Sequence, residues 1–206
     1  MDSIREYNEE YWEERNEIPA FEKQKFQALV KYVPSSVETI VDYGCGAGQY
    51  IRAMKKINEK GIYIGIDISQ KALDLAASHL TDVQLLQVDD GARIPLENDS
   101  VDFIVASEVL EHVYHVSKTL NELWRILKPD GKMWLSVPFH GIIKNLLIAL
   151  MNFDEHYDPL GPHIRFFTKK TLFDVVTDSG FEIIRHGYWG RFYPIPWNIH
   201  VYARKS

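Results

Sequence analysis

The stretch Thr39-Ile40-Val41-Asp42-Tyr43-Gly44-Cys45-Gly46-Ala47-Gly48 limits the fold of this chain more than any other. A β-branched run enters three alternate glycines, and Ile51, Met54 and Ile57 then recur at helical spacing up to Gly61. Strand, glycine turn and helix in that order form a βα unit. Glycines there permit positive φ and let backbone approach a ligand, while the helix N-terminus offers free N–H groups to it.

The alternation continues. Ile62-Tyr63-Ile64-Gly65-Ile66 is a second buried-type strand closed by Asp67, and Ser69 is the expected N-cap of a helix to about His79. Val83 to Val88, Val101 to Ala106 and Met133 to Val137 are expected as further strands. Between the last two, Val116, Leu120, Leu123 and Leu127 line one face of a helix ended by Pro129-Asp130-Gly131. Nearly continuous apolar strands alternating with helices indicate a parallel sheet covered on both faces. Two helical patterns come first, one through Ile4, Tyr7 and Tyr11, the next through Phe26, Leu29, Val30 and Val33 and ended by Pro34. At the far end, Leu172, Phe173 and Val176 mark a helix stopped by Gly180, with strands expected over Phe181 to Arg185 and Trp197 to Ala203 as an antiparallel edge.

Composition removes other classes. Of 206 residues, 46% are hydrophobic and 25% charged, which argues against a disordered or low-complexity chain. A net charge of −6 disfavours generic nucleic-acid binding. The single cysteine excludes an internal disulfide and multi-cysteine zinc patterns. The N-terminus lacks a secretory pattern and the apolar run Leu146 to Met151 is too short to span a bilayer, so a cytoplasmic protein without a membrane span is expected.

The acids choose among nucleotides. Asp67 stands 23 positions after Gly44, where a carboxylate grips ribose hydroxyls in doubly wound sheets. The spacing G-x-G-x-G differs from the dinucleotide fingerprint G-x-G-x-x-G, and Asp42 sits just before the loop. A carboxylate there suits an ammonium group better than a pyrophosphate. This favours an adenosine ligand carrying an amino acid and speaks against an NAD(P)-dependent oxidoreductase. A non-catalytic binder of the same ligand would carry the same motifs.

Val41 to Gly48 resembles motif I of class I S-adenosylmethionine-dependent methyltransferases. The resemblance continues in order through Gly65 to Ser69, Asp90 to Leu96, Ser100 to Val105, Glu108 to Val113 and Leu123 to Gly131, covering about residues 38 to 138. The segment Phe166 to Phe181 is similar to the last helix and strand of small-molecule members. The resemblance implies a Rossmann-like α/β fold, a seven-stranded mostly parallel sheet with an antiparallel C-terminal strand. One domain spans 1–206: a helical cap over 1–36, a cofactor-binding core over 38–138, a substrate-side lid over 139–167, and a C-terminal helix and strands over 168–206.

The implied cofactor is S-adenosylmethionine, leaving as S-adenosylhomocysteine. Gly44, Gly46 and Gly48 would line its methionine moiety, with Asp42 near the ammonium. Asp67 would accept from the ribose hydroxyls, and Ile68 would pack on adenine. Asp90, rather than Asp89, would accept from the adenine amino group, with the Gly91 amide on a ring nitrogen. Ser107 would supply backbone near the transferable methyl.

The acceptor is expected to be a small molecule, with Asn152 to Phe167 resembling members of glycan or secondary-metabolite pathways. Sulfonium chemistry needs mainly alignment and exclusion of water. His112 is the candidate base, although a histidine after the fourth strand more often caps or packs the next helix. His140, His163 and Arg165 are candidate acceptor contacts, and Leu146 to Met151 would exclude water. His156 and His163 with Asp154, Glu155 and Asp158 match no recognised metal spacing, so no metal is expected.

Overall fold

The computed structural model describes residues 2–13, 23–36, 38–157, 164–192 and 194–206. Its elements in chain order are α1 (Asp2–Glu13), α2 (Lys23–Leu29), β1 (Thr39–Tyr43), α3 (Gln49–Met54), β2 (Ile62–Asp67), α4 (Gln70–Ala77), β3 (Val83–Gln87) and β4 (Val101–Ser107). There follow α5 (Val116–Ile126), β5 (Leu127–Pro138), α6 (Ile142–Met151), α7 (Phe153–His156), α8 (Lys169–Asp178), β6 (Phe181–Trp189) and β7 (Asn198–Lys205). The strands form one seven-stranded sheet in the order β3-β2-β1-β4-β5-β7-β6. Strands β1 to β5 pair in parallel, and β7 runs antiparallel to both β5 and β6.

Period-two burial sorts the central strands between two cores. Ile40 of β1 and Phe103 and Val105 of β4 pack with Leu29, Ile51, Tyr63 and Trp134 on the face of α2 and α3. Val41 and Ile104 point the other way, onto Leu120 and Leu123 of α5 and Leu172 and Val176 of α8. Both faces of β1 and β4 are thus dry, which the continuous apolar runs require.

Local signals act where expected. Ser69 Oγ accepts from the Ala72 amide at 3.2 Å and caps α4. Gly180 ends α8 at φ 86°. The helix through Val116 stops at Ile126, one residue before the expected Leu127, which instead pairs with Val101 as the first residue of β5. Pro129 also disfavours helix at the residue before it. Strand β6 runs on to Trp189, beyond the expected Arg185, because β7 pairs with it as far as Asn198.

Candidate functional site

The loop after β1 is held by its own backbone. Gly44, Gly46 and Gly48 take φ of 73°, 51° and 75°. The amides of Gly44 and Cys45 donate to the Ile66 carbonyl at 2.7 and 3.0 Å, so the loop folds over the end of β2. A Cβ at Gly44 would strike Val109, and one at Gly46 would lie 2.8 Å from the Trp12 ring. Asp67 then joins loop and helix: its Oδ2 accepts from the Gly46 amide at 2.8 Å and its Oδ1 from the Ser69 amide at 3.0 Å. Burial raises the Asp67 pKa, against the lowering effect of these amides.

Asp42 lies deeper. It is buried, its Oδ2 has no hydrogen-bond partner, and burial, with Asp67 adding like charge, pushes its carboxyl up to about 7. Cys45 is buried with its thiol pushed up by burial and then by Asp67 and Asp42, the opposite of an activated nucleophile.

A cavity of about 410 Å³ opens at the carboxyl ends of β1, β2 and β4. Gly44, Gly46, Asp67, Ile68, Asp90, Ser107 and His112 are all on its wall. Asp42, Gly48 and Gly91 stand outside that lining. Gly48 precedes α3, and Gly91, at φ 67°, packs against His115. Asp90 also shapes the turn before α5, its Oδ2 accepting from the Tyr114 amide at 2.8 Å and lying 3.3 Å from His115 Nδ1. Ser107 Oγ sits 3.2 Å from Ser136 Oγ.

The cover of this cavity comes from the chain's beginning. Tyr7, Asn8, Tyr11 and Trp12 of α1 line it, with Tyr50 of α3. Glu9 fastens that helix: its carboxylate accepts from the amides of Gln70 at 2.8 Å and Lys71 at 3.1 Å, and from Ser69 Oγ at 2.8 Å. An acid on free amides at a helix N-terminus is a favoured arrangement. Desolvation raises the Glu9 pKa, but the Gln70 and Lys71 amides outweigh it and the net shift is down.

The residues expected on the acceptor side lie elsewhere. His140 is buried with Nδ1 3.2 Å from Asn145 Oδ1 and its ring against Phe166. Arg165 Nε donates to the Val113 carbonyl at 2.7 Å and Nη2 to that of Tyr114 at 2.5 Å, clamping the turn before α5 from behind. Neither residue is on the cavity wall, and His163 lies outside the described residues. Helix α6 adds nothing to that wall and buries none of its residues. Among the described residues no cluster of His, Cys, Asp and Glu is arranged to hold a metal. No helix among them is long and apolar enough to cross a membrane.

Three ionisable residues of the cavity have no role in the motif pattern. Glu108 takes φ 57°, donates its amide to the Ser136 carbonyl, and pairs with Lys25 at 2.9 Å and with the Asn198 amide group. Lys25 is buried between the Tyr50 and Trp189 rings, 5.9 and 5.6 Å from their centres. Glu111 is buried with neither oxygen bonded. The sequence signal for them is a pair of acids three apart just after an apolar strand, beside the more conspicuous His112.

Residues 41–135 match the family described as methyltransferase domain. The chain is 34% identical over 114 residues to the demethylmenaquinone methyltransferase of Lactobacillus johnsonii, covering 50% of this chain and 46% of that protein. It is 25% identical over 184 residues to the ubiquinone/menaquinone biosynthesis C-methyltransferase of Rickettsia bellii, covering 77% and 74%. It spans about half the length of the demethylmenaquinone methyltransferases it matches. A solved S-adenosylmethionine-dependent methyltransferase from Aquifex aeolicus superposes with a TM-score of 0.72 at 21% identity, over 96% of this chain and 98% of that one, a likeness of fold. The ordered motif core, residues 41–135, is thus similar to a methyltransferase domain and is carried on a sheet of the fold seen in solved S-adenosylmethionine-dependent methyltransferases.

Proposed function

We propose that this chain transfers the methyl group of S-adenosylmethionine to a small-molecule acceptor in the cytoplasm. The observation that carries the reading is the charge of the cavity. Asp67, Asp90, Glu108 and Glu111 line it, and Lys25 is the one Lys or Arg among its described lining residues. Such a wall attracts a ligand bearing a sulfonium and an ammonium and repels a pyrophosphate. The unpartnered Asp42 Oδ2 beneath the loop fits the same ligand.

In this reading the cofactor supplies an activated methyl group, and the chain binds, orients and dries it. Asp67 keeps lone pairs for ribose hydroxyls beside its two amide bonds. Ile68 meets adenine. Asp90 Oδ1, less engaged than Oδ2, takes the adenine amino group, and the Gly91 amide a ring nitrogen. Gly44, Gly46 and Gly48 let the methionine moiety lie on backbone above Asp42. Ser107 borders the methyl, and the α1 rings exclude water. His112 remains a base candidate on the wall. Arg165, off that wall, supports the acceptor side by holding the turn before α5, and His140 does so by packing against Phe166.

For the acceptor, the sugar-derived or secondary-metabolite class rests on the resemblance of residues 152–167. A demethylated quinone, as the relatives' names specify, is the second reading. The aromatic cavity wall of Tyr7, Tyr11, Trp12, Tyr43 and Tyr50 favours it, since such rings stack on a planar acceptor. Calorimetry tests the cofactor: S-adenosylmethionine should bind and NAD should not, and Asp67→Ala should weaken binding by about 1–3 kcal/mol. Unchanged affinity in that variant sinks the assignment. Transfer of labelled methyl to a quinone or hydroxylated acceptor separates an enzyme from a non-catalytic binder.

A further inference from the structure

We propose that Glu111 binds the proton-bearing nitrogen or oxygen of the methyl acceptor, so that the acceptor is an amine or a hydroxyl compound and not an anion. The inference deepens the cofactor reading above and rests on it.

Glu111 is 1% exposed, lines the cavity, and has two enclosed carboxyl oxygens that bond no other described residue. Its turn is fixed by other atoms, since the Glu111 carbonyl accepts from the amides of Ile164 and Arg165 at 3.0 and 3.2 Å. The side chain therefore adds nothing visible to the fold, and a buried polar group without partners costs stability. A carboxyl kept in that condition at a cavity wall is matched to something that enters.

Its place says which part. In the order β2-β1-β4-β5, Asp67 and Ile68 end β2 on one side of β1, while Glu108 and Glu111 follow β4 on the other. With ribose and adenine at the β2 end, the transferable methyl and the acceptor face β4. Burial pushes the Glu111 carboxyl well above the usual range, its own backbone amide opposes this, Glu108 adds to it and Lys25 opposes it. The negative charge on this wall is that of Glu108, and an anionic acceptor would add like charge beside it, whereas an N–H or O–H donor satisfies a Glu111 oxygen that is otherwise bare.

The test needs no identified acceptor. Sinefungin carries a protonated amine on carbon in place of the methylated sulfur, and S-adenosylhomocysteine is neutral at that point. By calorimetry the parent should bind sinefungin at least about tenfold more tightly than S-adenosylhomocysteine. Glu111→Gln should cut that preference to within about threefold of unity, with S-adenosylhomocysteine affinity unchanged and the melting temperature equal to the parent's or higher. Glu111→Asp, which withdraws the carboxylate by one methylene, should lower the preference about threefold and serves if the Gln variant does not fold. A parent without the preference, or variants that keep it in full, overturn the proposal. A parent that binds neither ligand overturns the cofactor reading itself, and the proposal with it.

Discussion

The loop after β1 and the segment after β5 leave the same edge of the sheet and are built in opposite ways. In residues 44–48, three glycines at positive φ and amides tied to Ile66, Asp67 and Cys45 leave little freedom. In α6, no residue is buried, and Ile142 and Met151 are 88% and 81% exposed. Lys144 Nζ ties this helix to the carbonyls of Phe139 and Trp197, at 2.8 and 3.2 Å. The contrast teaches that the cofactor end is specified by backbone geometry within a few residues, while the segment after β5 keeps its apolar side chains outside the core. Related chains can therefore share the first and differ freely in the second.

The sharpest way to break this contrast is Gly46→Val. A β-branched side chain at φ 51° is strained and meets Trp12. S-adenosylmethionine affinity should fall at least about 1,000-fold, or about 4 kcal/mol, by calorimetry, with the circular dichroism of the sheet retained. Normal binding by a folded variant would make the loop a turn and nothing more.

Asp42 gives the next largest effect. Its carboxyl titrates near 7 when folded and, unfolded, near the ordinary value of 3.8. Between these values only the unfolded chain is ionised, so the fold is fully favoured below about pH 4 and loses stability as pH rises to about 7, by roughly 2–4 kcal/mol. Asp42→Asn should match the parent's melting temperature near pH 4 and exceed it above pH 7. An ammonium placed beside Asp42 favours the ionised form, so parent affinity for S-adenosylmethionine should rise with pH up to about 7 and then level. A slope that persists in Asp42→Asn would assign it to another group.

The smallest effect belongs to α6. Replacing both Ile142 and Met151 by serine should change stability and cofactor affinity by less than about 0.5 kcal/mol. A large fall in melting temperature would show that these side chains pack on the body. A selective loss of transfer to an apolar acceptor would connect α6 to acceptor binding.

Much of this was legible in order along the chain. Alternating apolar runs marked the strands, Ser69 and Gly180 marked helix ends, and Gly44 to Gly48 with Asp67 marked the loop and its acid. These are local signals, each a matter of a few neighbouring residues. The cover by α1 was not legible, because Glu9 meets Ser69, Gln70 and Lys71 only after some sixty intervening residues have folded. Arg165 is a candidate acceptor contact in the sequence, yet its guanidinium is spent on the carbonyls of Val113 and Tyr114. Glu111 was hidden for a different reason: sequence cannot show that a carboxylate lacks partners.

The position of β7 has a consequence for how the chain is made. It is the last strand in sequence but lies between β5 and β6. During synthesis β6 emerges first and has no neighbour in the sheet until β7 arrives, because β7 is its one pairing strand among those described. For that interval β5 and β6 both present unpaired edges, Trp134 and Leu135 of β5 among them, which are the templates on which chains associate wrongly. The parallel half from β3 to β5 can assemble beforehand, whereas the remaining half must wait for one eight-residue strand, Asn198–Lys205, to be threaded between two that are already there. Slow docking of that strand would thus lengthen the period of greatest exposure to aggregation.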